Sequence, residues 1–220
     1  KGATAIQFVA KRKFNHTLLL DGFNYSATCI YFKFEFLDAA FVNEISQYIG
    51  SNNCFFQIDI LGSLAEVGNW FVNLKEDFNT LENIVKSTDN SISISGDLYQ
   101  NAGANMVQQL AYTLAHANEY LNYFGAENAH KIHFQFSVSS NYFHEIAKLR
   151  AFRVLWEALL NEYGIEATAA HLFVQPSSRN KTVYDYNINM LRTTSECMSA
   201  ILGGSNTISN ISYDHMYAES

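Results

Sequence analysis

The residues of this 220-residue chain best placed to do chemistry gather in one stretch, Ser91-Ile-Ser-Ile-Ser-Gly96-Asp97-Leu98-Tyr99-Gln100-Asn101-Ala102-Gly103. Strict alternation of Ser and Ile is the period-two signature of a strand. Gly96 ends the run, a polar corner follows, and a helix opens towards Ala104. Asp97 stands at that corner, where a carboxylate can take or give a proton; Leu98 beside it can do neither. Metal chemistry is not expected. His144-Glu145 lacks the second histidine of a zinc helix, because position 148 is Lys. Cys29, Cys54 and Cys197 form no CxxC pair. Histidines such as His133 and His144 read as ordinary structural or surface groups. Glu145, Lys148 and Arg150 read as an ion-pair network on a helix surface or interface.

Composition narrows the class of partner. A net charge of -7, with no basic run beyond Lys11-Arg12-Lys13, disfavours nucleic acid, because phosphate backbones demand a basic face. Three widely spaced cysteines suit a reducing, cytoplasmic setting. No apolar run approaches the ~20 residues of a membrane span, and no signal peptide is evident. The chain opens on Lys1-Gly2-Ala3 without an initiator Met, so part of a longer polypeptide is the expectation. The 17 Phe and 13 Tyr, spread over strands and amphipathic segments, are expected mostly in the core.

The elements that must position these groups follow from periodicity. Ala3–Val9, Thr17–Leu20, Ile30–Phe36, Phe55–Ile60, Ser91–Ser95, Lys131–Phe136, Ala167–Val174 and Thr207–Ile211 have strand character. Helical spacing runs from Asp38, a plausible N-cap, to Gly50, over Leu74–Lys86, and from Met106 to Leu121. It recurs over Asn141–Tyr163, whose buried stripe would be Ile146, Leu149, Phe152, Trp156, Leu159 and Leu160, and over Thr182–Leu202, closed by Gly203-Gly204. Strands separated by helices imply βαβ units and a parallel sheet. A closed (β/α)8 barrel and an open doubly wound sheet both satisfy this pattern, although a barrel normally takes about 250 residues. With Pro176 as the only proline and no flexible linker, residues 1–220 read as a single domain.

Several blocks resemble the methylmalonyl-CoA mutase family, isomerases that use adenosylcobalamin. The Ser-Ile-Ser-Ile-Ser-Gly run and the following Gln100-x-Ala102-Gly103-Ala104 are similar to that family's active-site strand and helix. Ala111-Tyr-Thr-Leu-Ala115, the run Asn141-Tyr-Phe-His-Glu145-Ile-Ala-Lys148-Leu-Arg150-Ala-x-Arg153-x-Leu-Trp156, and Gln175, Ser177, Asn187, Arg192-Thr193, Glu196 and Met198 continue the likeness in order. The likeness is strong from Ser91 to about Asp214. It implies an α/β fold of the (β/α)8 TIM-type barrel, possibly missing an element at each end.

The departures from the family pattern set the functional expectation. Where the family carries Tyr-His after the glycine, this chain has Asp97-Leu98. Phe55 replaces a threonine ahead of Gln57 and Asp59, and Val67 stands eight residues beyond Asp59, where the resemblance implies a carboxylate-binding arginine. Lys131-Ile132-His133 replaces Arg-x-Ser. Phe173 replaces a histidine facing the cobalamin, and only Gln175 survives of that block. The cobalt-ligating Asp-x-His-x-x-Gly loop is absent, so no cobalamin-binding domain is expected in this chain. The resemblance then implies a non-catalytic small subunit whose degenerate positions are Asp97, Leu98, Val67 and Phe173. Gln57, Asp59 and Gln175 would be remnants of substrate binding, and Leu98, Phe55 and Phe173 would fill the idle interior. The partner would be a homologous large catalytic subunit, forming a heterodimer and holding the adenosylcobalamin; this chain would bind no cofactor itself. The rival expectation is an independently active acyl-CoA-binding or acyl-CoA-isomerising barrel using Asp97, Gln57 and Gln175.

Overall fold

The computed structural model describes residues 2–50, 53–166, 168–210 and 212–216. Within them the chain is an α/β fold in which strands alternate with helices. The strands are β1 (Ala5–Ala10), β2 (Cys29–Phe34), β3 (Cys54–Phe56), β4 (Ile92–Ser95), β5 (Ile132–Val138), β6 (His171–Pro176) and β7 (Thr207–Ile208). The helices are α1 (His16–Leu19), α2 (Ala39–Ile49), α3 (Ile60–Val67), α4 (Leu74–Ser87), α5 (Gly96–Asn101), α6 (Met106–Phe124), α7 (Tyr142–Glu162) and α8 (Asn187–Leu202). One sheet runs in the order β1-β2-β3 and the other β4-β5-β6-β7. β1 with β2, β2 with β3, and β6 with β7 pair in parallel. Neighbouring strands that are also consecutive in sequence are what successive βα units produce when wound in one direction. Two compact units result: Lys1–Ile94 with His130–His133, and Ser95–Ala129 with Phe134–Ser220.

In the first unit the register stacks aromatic rings across strands. Phe8, Phe32 and Phe56 are aligned partners, with ring centroids 5.6 Å apart at each step. Phe34 and Phe41 extend this layer, joining β2 to α2 at 5.7 Å. The opposite sheet face carries Gln7, Tyr31 and Phe55 in register, with Tyr31 stacked on Phe55 at 4.9 Å and His133 edge-on to Phe55 at 5.5 Å. The aromatic excess therefore serves mainly as core. α2 begins where Asp38 accepts from Phe41 N at 2.9 Å and ends at Gly50, whose φ of 56° suits a residue without a Cβ.

Local polar side chains overturn several expected boundaries. Thr17–Leu20 is not a strand: Asn15 Oδ1 accepts from Leu18 N at 3.1 Å and turns His16–Leu19 into a helical turn. The strand expected over Phe55–Ile60 stops at Phe56, because Asp59 Oδ1 accepts from Gly62 N at 2.8 Å and starts α3. The strand ladder nonetheless continues past β3, with Phe56 N donating to Asn90 O and Ser93 N to Ile58 O, both at 2.9 Å. α8 starts at Asn187 rather than Thr182, since Asn189 bonds both backbone groups of Thr182 and folds that segment back. β6 starts at His171; the expected start, Ala167, and the expected end of β7, Ile211, lie outside the described residues.

In the second unit β5 meets α7 through Phe134 and Phe136, which pack edge-on against Phe152 at 4.6 and 4.7 Å. Trp156 closes on Phe134 at 4.9 Å. Gly203 caps α8 by donating to Ser199 O at 2.8 Å, and Gly204 follows at φ 82°. Burial, reinforced by the Arg153 cation, pushes the His171 imidazole down to about 4. The unfolded chain therefore binds a proton between pH 6.5 and about 4 that the folded chain refuses, and stability falls as pH drops through that window. Urea unfolding followed across it should show a shallower acid loss for His171→Gln than for the parent chain.

Candidate functional site

The candidate corner is built by close packing at the end of β4. A Cβ on Gly96 would lie 2.7 Å from Thr113 Oγ1 and 2.9 Å from Gln135 O. Only glycine lets α6 and β5 come this near, and α5 therefore starts directly at the strand end. Asp97, in the first turn of α5, is half-buried, and its Oδ2 accepts from Gln175 Nε2 at 3.3 Å. The structure thus brings together two residues singled out from sequence. Leu98 is half-buried beside them, and Phe173, two residues before Gln175 on β6, is fully buried. Asn101, at the end of α5, accepts from Ser177 Oγ at 3.2 Å and Ser178 Oγ at 3.3 Å. Arg179 holds its guanidinium beside Gly103. The segment after β6 is therefore fastened to α5 at several points.

Gln57, Asp59 and Val67 belong to the first unit. Gln57 is buried and accepts from Gln7 Nε2 at 2.5 Å. The Asp59 carboxylate is occupied as the N-cap of α3. Val67 is the last residue of α3 and is 62% exposed, so its environment is that of a helix surface. Among the described residues no group of three or more His, Cys, Asp or Glu side chains converges as a metal site.

Sequence reasoning missed the network beneath the corner. Lys148 and Glu145 form no surface pair: their side chains are 0% and 1% exposed, 2.6 Å apart. Lys148 Nζ also donates to Gln100 Oε1 and Gln109 Oε1 at 2.9 Å and to Ser137 O at 2.7 Å. Glu145 Oε1 accepts from Ser139 N at 3.0 Å and Ser139 Oγ at 2.6 Å. One ammonium thus ties α5, α6, α7 and the end of β5 together. Burial pulls the lysine's proton affinity down and the Glu145 carboxylate pushes it back up. A signal was present in the sequence: positions 145, 148, 149, 152 and 156 share one helical face with the apolar stripe. Arg150 instead reaches out to Leu202 O at 2.9 Å. A second buried pair, Lys181 with Glu196, joined by Asn180 and Thr193, fastens the same post-β6 segment to α8.

Removing one member of a buried pair strands the other's charge. Lys148→Met should lower stability to urea by about 3–5 kcal/mol, and adding Glu145→Gln should recover most of that loss. Gly96→Ala should cost about 1–3 kcal/mol by the same assay, because a carbonyl on β5 cannot move aside as a side chain can.

Comparison with known proteins places the chain. The family model for methylmalonyl-CoA mutase matches residues 41–220. The chain is 40% identical over 130 residues to the methylmalonyl-CoA mutase small subunit of Porphyromonas gingivalis, covering 54% of this chain and 21% of that protein. It is 38% identical over 138 residues to the methylmalonyl-CoA mutase of Rhizobium meliloti (59% of this chain, 19% of that protein). With the mitochondrial methylmalonyl-CoA mutase of Homo sapiens the figures are 36% over 135 residues, 57% and 18%. The chain spans about a fifth of the length of these relatives. A match over most of its residues means that this chain belongs to the methylmalonyl-CoA mutase family.

Proposed function

We propose that this chain is the barrel portion of a small, non-catalytic mutase subunit that supports a homologous large chain. In this reading its strands belong to a (β/α)8 barrel, and the large chain interconverts methylmalonyl-CoA and succinyl-CoA. The observation that carries the proposal is the corner after Gly96. Leu98 has no exchangeable proton to offer a rearranging thioester, and Asp97 would set negative charge where the family likeness implies an anionic acyl-CoA. That carboxylate is already engaged by Gln175, and Phe173 is buried as a hydrocarbon filler.

The residues present do not fit adenosylcobalamin. Phe173, at the position that would face the corrin, offers neither a ligand nor a hydrogen bond. The cofactor and the chemistry it supplies are assigned to the large chain. The small-subunit name borne by the Porphyromonas gingivalis relative supports the same assignment.

The purified chain, given adenosylcobalamin and methylmalonyl-CoA, should show no turnover and no acyl-CoA binding by calorimetry. Mixed with a large mutase chain it should co-elute as a heterodimer. Turnover by this chain alone would overturn the proposal in favour of an independently acting acyl-CoA barrel.

A further inference from the structure

At the other end of β6 from Gln175 lies a cavity of about 400 Å³. It is lined by Arg153 and Glu157 of α7, by Thr168, Ala169 and Ala170 ahead of β6, and by Asn206 ahead of β7. Five strand residues, roughly 17 Å, separate Ala170 from Gln175. The charges that line it are unmatched. Arg153 Nη1 donates to Ala170 O at 2.8 Å, while Nη2 donates to Gly204 O and to Asn206 Oδ1, the latter at 3.3 Å. These acceptors are all neutral. Burial lowers the proton affinity of the guanidinium, and no neighbouring carboxylate acts to raise it. Its Nε–H makes no hydrogen bond among the described residues.

Glu157, one turn further along α7, is exposed at the same cavity. An Arg preceding a Glu by four residues is the weaker order for a helical ion pair, and here the two charges stay apart. Thr168 Oγ1 is shut off from solvent with no hydrogen-bond partner among the described residues, so turning about χ1 into the cavity costs it no hydrogen bond. Asn206 commits its Oδ1 to Leu172 N at 2.9 Å and to Arg153, which leaves its Nδ2 without a partner among the described residues. The lining therefore offers three donors, one of them cationic, and one separate carboxylate. A bare anion would meet Glu157 as a like charge, and a bare cation would meet Arg153; each loses on one side what it gains on the other.

We propose that this cavity binds a small zwitterion of the α-amino-acid class. Its carboxylate accepts from Arg153 Nε, Thr168 Oγ1 and Asn206 Nδ2, its ammonium faces Glu157, and its side chain lies along Ala169 and Ala170. The guanidinium contact is of the charge-assisted kind, and the volume falls within the range of small-molecule sites. The site stands whether or not the chain serves a mutase complex.

Titrating the isotope-labelled 220-residue chain with L-leucine should move the amide resonances of Thr168, Ala170 and Asn206 saturably. A dissociation constant in the millimolar range is expected for so small a ligand. Glu157→Gln, at an exposed position, should weaken binding about tenfold and leave the thermal midpoint unchanged; Thr168→Val should weaken it about fivefold. Acetate or ethylamine alone should give no saturable shift. The assignment fails if L-leucine gives none either, if acetate binds as tightly as L-leucine, or if Glu157→Gln titrates like the parent chain.

Discussion

One ammonium group, on Lys148, is the constraint on which the second unit is organised. Taking it out of water is costly, and the cost is offset only because Glu145, Gln100, Gln109 and the Ser137 carbonyl meet it together. Those partners come from α7, α5, α6 and the end of β5. None of these elements can shift without leaving a buried charge or a buried amide unmatched. The helix that carries Asp97 is held to its neighbours by this requirement. Lys181 and Glu196 act in the same way one βα unit later, holding the post-β6 segment against α8.

Framework and chemistry separate cleanly here. Gly96 is demanded by the approach of Thr113 and of the β5 backbone, whatever the corner does. The buried pair is demanded by the packing of helices, again without reference to any substrate. The groups that would touch a ligand answer to neither demand: a corner can hold Asp97 and Leu98 and still fold. Family membership therefore follows from the framework, while the proposed loss of catalysis rests on what stands at the corner.

Legibility in the sequence varied with the range of the interaction. The strand Ile92–Ser95, the stop at Gly50 and the Gly203 cap were all readable, because each depends on residues within a turn or two. Polar capping at Asn15 and Asp59 was harder: apolar neighbours such as Leu18 and Ile60 suggested strands, and a single side-chain hydrogen bond decided otherwise. The meeting of Asp97 with Gln175, 78 positions apart, had no local signature. Glu145 and Lys148 looked like a solvent pair because their spacing is equally good for a surface and for a core.

The sequence alone determined that this is an α/β chain, where most helices stop, and which family it resembles, since these follow from periodicity, caps and short motifs. Only the tertiary structure decided which charges go inside. Whether a carboxylate and an ammonium three residues apart face water or a ring of amides depends on where α5, α6 and β5 are brought by the rest of the fold.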